Sequence, residues 1–212
     1  MKKILLKSSL HNDPSIIEVG VDEAGRGALA GPVTVAACIM PPGFQHELVK
    51  DSKLLSESQK VEARRLVLDN AIAYSIVHIP VEEIESTNVL KATLTGMERC
   101  LQEVHKKVNF DFVLVDGDQF HGFHGVPFET VVGGDNTYVS IAAASILAKT
   151  ERDNYMRDLS QKEEYLAYGW GSNKGYGTKQ HQQALRRLGP VAVHRKSFRP
   201  IRELLLGSER AP

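Results

Sequence analysis

Short β-branched apolar runs alternate along this chain with longer stretches of helical spacing. Residues 16–21 read as a first strand after a polar leader. Residues 33–40 read as a second, opened by Pro32 and stopped by Pro41-Pro42-Gly43. Ser56-Glu57-Ser58-Gln59 has the form of a capping box and opens a helix that runs to about Asn70. A third strand spans residues 73–79, where Pro80 ends it, and helical spacing resumes over 81–86 and 88–107. Residues 110–115 and 128–132 are two further strands. From Asn136 to about Leu159 the pattern is a long helix whose first half is Ala-rich and tightly packed. Gly and Tyr interrupt it over 168–178, before a basic helix at 179–188. This order predicts an α/β fold, a mixed sheet with helices packed on it. A soft boundary near residue 160 divides a core (1–160) from a basic, helical C-terminal segment (161–212) that packs on it as one compact unit.

Composition narrows this reading. The 212 residues, 42% hydrophobic and 25% charged, suit one folded domain with or without a helical appendage, and not a disordered chain. No apolar run approaches the about 18 residues of a membrane span. Met1–Lys7 faintly resembles a signal peptide, but its apolar stretch is far below the roughly 7–15 residues of a working one, so a cytoplasmic protein is expected. Cys38 and Cys100 lack metal-type spacing and are expected to be reduced, buried thiols. The net charge of zero conceals a strong asymmetry. Residues 1–164 hold 17 basic and 24 acidic side chains, whereas residues 165–202 hold eight basic ones and no acid. A positive segment of this kind can hold a polyanion while the acidic body concentrates carboxylates for metal, although it can also be a merely solvated basic face.

Four acids stand where elements end. Asp22 and Glu23 follow the first strand, Asp116 follows Phe112-Val113-Leu114-Val115, and Asp135 follows Gly133-Gly134, where it would cap the long helix. Mg²⁺ and Mn²⁺ prefer hard oxygen ligands, and rigid element ends fix such ligands well. Two such ions can activate a water and stabilise the leaving oxygen of a phosphodiester. Neighbouring strand residues point to opposite faces, so Asp22 suits a shared ligand and Glu23 a more peripheral one. Each acid also has an ordinary structural explanation, because Asp before Gly is a common turn residue and Asp at a helix start a common cap. Gly25-Arg26-Gly27-Ala28-Leu29-Ala30 imitates a dinucleotide-binding fingerprint, with Asp51 at a suitable distance. The fingerprint requires a helix next, whereas Pro32 and a second strand follow, so a nucleotide cofactor is not expected.

The sequence resembles the ribonuclease HII family, the bacterial type 2 ribonucleases H. The matching stretches are Asp22-Glu23-Ala24-Gly25-Arg26-Gly27, Asp51-Ser52-Lys53, Asp116-Gly117, Gly134-Asp135, residues 142–149 with Arg152-Asp153, Lys174-Gly175-Tyr176-Gly177-Thr178 and Ser197-Phe198. They lie in family order over nearly the whole chain. The resemblance implies a ribonuclease H-like, five-stranded mixed sheet with a helical C-terminal segment. It implies Asp22, Glu23, Asp116 and Asp135 as the catalytic, Mn²⁺- or Mg²⁺-binding set. It further implies that Gly25, Arg26 and Gly27 read the ribose 2′-hydroxyl at an RNA–DNA junction, the one group that separates RNA from DNA at a single nucleotide. Tyr176 matches the tyrosine that packs on the following sugar, Lys53 a phosphate contact, and Ser145, Lys149 and Lys174 further residues on the substrate side. Lys149 and Asp153 lie four apart, so a structural ion pair is an alternative for them.

Departures from the family pattern are Asp118, where Asn is common, and Tyr168-Gly169-Trp170 ahead of the basic motif. His181 and His194 read as nucleic-acid contacts or structural residues. The implied partner is an RNA–DNA hybrid or ribonucleotide-containing duplex DNA, bound by a monomer. Hydrolysis would leave 5′-phosphate and 3′-hydroxyl ends. A DNA-cutting relative and a non-catalytic nucleic-acid-binding module are the rival readings. Equal cutting of all-DNA duplexes would favour the first, and binding without metal-dependent turnover the second.

Overall fold

A computed structural model describes residues 5–208, so residues 1–4 of the leader and 209–212 of the tail lie outside the described residues. In chain order the elements are β1 (Glu18–Ala24), β2 (Val33–Ile39), α1 (Glu57–Asn70), β3 (Ala73–Ile79), α2 (Val81–Ser86), α3 (Val89–His105), β4 (Phe112–Asp116), β5 (Phe128–Val131), α4 (Val139–Leu159), α5 (Trp170–Asn173), α6 (Lys179–Leu188) and α7 (Arg199–Ser208). The strands form one mixed sheet in the order β3-β2-β1-β4-β5. β1–β2 and β2–β3 run antiparallel, β1–β4 and β4–β5 parallel. This is the α/β architecture that the order of apolar runs predicts.

Every residue of β2 is buried because both faces of the sheet are covered. Val33, Val35, Ala37 and Ile39 join Met97, Cys100 and Leu101 of α3 in one core layer. Ala36 and Cys38 join Ala63 and Val67 of α1 and the alanines of α4 in the other. The capping box at Ser56 and Gln59 forms with both of its reciprocal bonds. Burial pushes the Cys38 and Cys100 thiols up to about 12, so both are inert core groups.

The centre of the molecule is α4. Every residue from Val139 to Ala148 is buried, as expected of a helix apolar on all sides. It lies directly on β1, because a Cβ built on Gly20 would stand 2.2 Å from the Ser140 carbonyl carbon and 2.4 Å from the Ile141 nitrogen. Only a residue without a side chain permits that approach.

Two boundaries differ from the sequence expectation in ways that matter for the site. β1 does not stop at Val21; its ladder with β2 continues through Asp22↔Ala36 and Glu23↔Val35 to Ala24↔Thr34, so both acids lie inside a strand. The long helix starts at Val139 and not at Asn136. Gly133 turns left-handed at φ 70°, Gly134–Asn136 form a 3₁₀ turn, and the residue preceding α4 is Tyr138, which makes no side-chain cap. Asp135 therefore sits in that turn and does not cap α4.

The C-terminal segment shares a core with the body. Tyr168, Trp170, Ala184, Leu185 and Ile201 pack with Leu29, Ala30, Met156 and Leu159. Among the described residues no helix is long and apolar enough to cross a membrane.

Gly20→Ala tests the helix–strand approach. The colliding atoms are backbone, so unfolding in urea should show a loss of about 1–3 kcal/mol or more. Wild-type stability would contradict the packing.

Candidate active site

The parallel register of β1 and β4 pairs Val21 with Val115, so Asp22 and Asp116 come next, side by side, at the carboxyl ends of adjacent strands. In open α/β sheets that edge is where ligands bind. Asp116 Oδ1 accepts a bond from the Gly134 backbone N–H at 2.7 Å, which draws the turn carrying Asp135 to the same edge. Asp22 is buried on the face covered by α4. Its Oδ1 accepts from the Glu23 N–H at 2.6 Å, and Ser145 of α4 faces the same carboxylate and favours its charged form. Glu23, on the other face, accepts from Arg26 Nη1 at 3.1 Å. Asp135 accepts from Asn136 Nδ2 at 3.0 Å, with Lys53 Nζ 3.7 Å from it and 3.9 Å from Asp51.

Charge confirms that these groups share one locus. Burial, then Glu23 and Asp116, raises the Asp22 carboxyl well above the usual range. Burial raises Glu23 and Asp116 adds to it, against the pull of Arg26. Burial, Asp116 and Asp51 raise Asp135, against the pull of Lys53. Burial opposes the charge on Lys53, but Asp135, Asp51, Asp22 and Asp116 outweigh it and raise its pKa. Asp118 is exposed and is not among the groups that shift these acids. Among the described residues, no three His, Cys, Asp or Glu side chains converge as a ready-made ligand group. The donors nonetheless suit a hard divalent cation, being carboxylate oxygens, half-buried or buried, mutually repelling and more numerous than the Arg26 and Lys53 cations beside them.

Three residues beyond Asp22, the chain turns. Gly25 has φ 91°, and a Cβ there would fall 1.9 Å from Arg152 Nε, so the position excludes every other residue. Arg26 and Gly27 are exposed, with open space at Gly27. The loop carrying Lys174 and Tyr176 lies against this turn, since the Leu29 N–H donates to Gly175 O at 2.8 Å. Ser145, expected on the substrate side, is buried against Asp22. Lys149 Nζ holds both Asp153 oxygens at 2.6 and 2.7 Å and stays partly exposed. Lys53 is mostly exposed.

Sequence reasoning assigned no role to two arginines that the fold buries completely. Arg152 bonds to the carbonyls of Ala30, Pro32 and Lys174, and Arg195 to those of Arg26 and Gly31. Burial, then Arg152, lowers Arg195 to about 9, which leaves it charged at neutral pH. The available signal was helical: Arg152 falls four residues after Ala148 and seven after Ser145, on the buried face of α4. His181 and His194 are also fully buried, alongside Trp170 and Tyr168, and are structural.

By its family model and its relatives the chain is a ribonuclease H, a hydrolase. The family model for Ribonuclease HII matches residues 19–201. Ribonuclease HII of Christiangramia forsetii is 43% identical over 190 residues, 90% of this chain and 94% of the relative. That of Salinibacter ruber is 49% identical over 187 residues, 87% of this chain and 92% of the relative. The fold resembles the ribonuclease H2 of Pyrococcus horikoshii, with a TM-score of 0.77 at 20% identity over 92% of this chain and all of that one. It also resembles a Bst-RNase HIII solved in complex with Mn²⁺, with a TM-score of 0.73 at 19% identity over 95% of this chain and 73% of that one. The chain belongs to the ribonuclease HII family.

The histidine pair generates a pH prediction. Trp170 Nε1 donates to His181 Nε2, and the two His Nε2 atoms are also bonded, both at 3.0 Å. His181 Nδ1 lies 3.0 Å from Tyr176 O, and His194 Nδ1 accepts from the Val191 N–H at 2.9 Å. The network is satisfied only with both rings neutral, His181 protonated on Nδ1 and His194 on Nε2. Burial lowers both, and with His181 beside it His194 falls to about 4 from an ordinary 6.5. Below 6.5 the unfolded chain therefore binds protons that the folded chain refuses, and this contribution to stability is lost as pH falls toward 4. Thermal unfolding should show the stability gap between wild type and His194→Gln narrowing from pH 7 to 4.5. A gap independent of pH would contradict the neutral pair.

Proposed function

We propose that this ribonuclease H cleaves the RNA strand of RNA–DNA hybrids and single ribonucleotides embedded in duplex DNA, at the RNA–DNA junction, leaving 5′-phosphate and 3′-hydroxyl ends. Asp22, Glu23, Asp116 and Asp135 are the catalytic carboxylates. Mg²⁺ or Mn²⁺ held by them would supply the positive charge the locus lacks and polarise both the attacking water and the leaving oxygen. The Glu23 N–H orients the Asp22 carboxylate, which Ser145 of α4 faces. Lys53 and the basic Lys149 and Lys174 receive phosphates of the duplex. The Gly25–Arg26–Gly27 turn, exposed and unobstructed at Gly27, meets the ribose 2′-hydroxyl, and Tyr176 packs on the next sugar.

One observation carries this reading. Asp22 and Glu23 lie among the last residues of β1 and the Gly25–Arg26–Gly27 turn follows that strand directly, so the group that defines RNA would be held within a few residues of two of the acids that cut.

Asp22→Asn keeps the shape of the side chain and an oxygen for the Glu23 N–H but removes a repelled charge. Cleavage of a duplex with one embedded ribonucleotide should be abolished. Without metal, the thermal midpoint should equal or exceed that of wild type, because buried like charges oppose folding. Added Mn²⁺ should raise the midpoint of wild type and not that of the variant. Full activity of the variant in Mg²⁺ would overturn the assignment.

A further inference from the structure

Arg152 and Arg195 are fully buried cations, and every hydrogen bond their guanidinium groups make goes to a backbone carbonyl. A buried charge is costly, and apolar side chains of similar size usually serve stability as well or better. What these two residues offer that an apolar pair cannot is directional contact with several strands of backbone at once.

The carbonyls they select are not scattered. Arg195 donates from Nη1 to Arg26 O at 2.8 Å, and from Nε and Nη2 to Gly31 O at 3.0 and 2.8 Å. Arg152 donates from Nε to Pro32 O at 2.9 Å, from Nη2 to Ala30 O at 3.1 Å and from Nη1 to Lys174 O at 2.9 Å. Arg152 also lies 5.2 Å from the centre of the Tyr176 ring, within cation–π range, and fills the space that a side chain on Gly25 would need. One guanidinium thus touches the turn after β1 and the Tyr176 loop together, while the second grips that turn from its other end.

We infer that Arg152 and Arg195 are positioning residues that set the spacing between the Gly25–Arg26–Gly27 turn and Tyr176, and so determine selectivity for a ribose followed by a deoxyribose. The inference rests on the proposed reading of those two elements as contacts to successive sugars. Arg152 sits on α4 seven residues beyond Ser145, so the helix that covers Asp22 also carries the gauge between the two readers. Lysine at either position keeps the charge but gathers its donors on a single nitrogen, and cannot hold the three carbonyls of Arg152 or the two of Arg195 in the directions that the planar fork fixes.

The test compares wild type, Arg152→Lys, Tyr176→Ala and the double variant on two substrates, in steady state. One is a DNA duplex with a single ribonucleotide; the other is a continuous RNA–DNA hybrid. Folding is checked by thermal unfolding, and affinity for an all-DNA duplex by direct binding. Arg152→Lys should lower kcat on the single-ribonucleotide duplex by about 100-fold, the scale expected of a small misplacement, with little change in KM or in all-DNA binding. The hybrid should suffer less, so the ratio of the two rates falls as it does in Tyr176→Ala. The double variant should be no worse than the poorer single one, because both changes disable one device. Equal loss on both substrates, with effects that multiply in the double variant, would reduce Arg152 to a structural role and overturn the inference. A Tyr176→Ala variant that keeps the wild-type ratio would remove the sugar-reading assignment and the inference with it. A Tyr176→Ala variant that loses the ratio while folded Arg152→Lys retains it would overturn the inference alone. If Arg152→Lys does not fold, Arg195→Lys is judged by the same ratio, and failure of both to fold overturns the positioning role.

Discussion

The contact of α4 with β1 across Gly20 is the constraint from which the site follows. A helix pressed to within backbone contact of the central strand cannot shift along it without collision. That helix carries Ser145 to Asp22 and Arg152 beneath the turn and the Tyr176 loop. The sheet supplies Asp22 and Asp116 in fixed parallel register. The acids and the loops proposed to face substrate therefore belong to one rigid body, as the proposed attack on a single nucleotide within a long polymer requires.

The neutral net charge of the chain results from two opposed arrangements. Around Asp22, burial and neighbouring carboxylates raise the acids, against the pull of Arg26 and Lys53. Under the adjoining loops, buried guanidinium groups face carbonyls alone. The C-terminal basic segment is thus not uniformly a surface for phosphates. Arg195 belongs to the interior, together with His181 and His194, while Lys174 and Lys179 remain accessible. Trp170 and Tyr168, stacked at 5.1 Å, give that segment a core of its own, continuous with Leu29 and Ala30.

Much of this was legible in the sequence. The five apolar runs, the capping box at Ser56 and the all-apolar start of α4 are local patterns, and local patterns survive folding. The acids stood out because each follows an apolar run or a glycine pair in the sequence, although Asp22 and Glu23 prove to lie inside β1. The reach of β1 to Ala24 was not legible, because it depends on pairing with β2 across a turn that breaks the apolar pattern. Asp135 looked like a helix cap, but the left-handed Gly133 interposes a 3₁₀ turn that spacing alone does not reveal. The arginine clamp was hidden most fully. A charged side chain reads as solvated until its partners are known, and Arg195 finds one in Arg26, 169 positions away in the chain.

Whether the carboxylates and the adjoining turn act together as an RNA-directed cutting unit is tested most directly on two end-labelled duplexes that differ in one 2′-hydroxyl. One carries a single ribonucleotide in DNA, and the other has deoxyribose at that position. The wild-type protein with Mg²⁺ or Mn²⁺ should cut only the first, at the ribonucleotide, leaving a 3′-hydroxyl on one fragment and a 5′-phosphate on the other. Cutting of both duplexes at comparable rates, or cutting of the first in the presence of a chelator, would contradict this account.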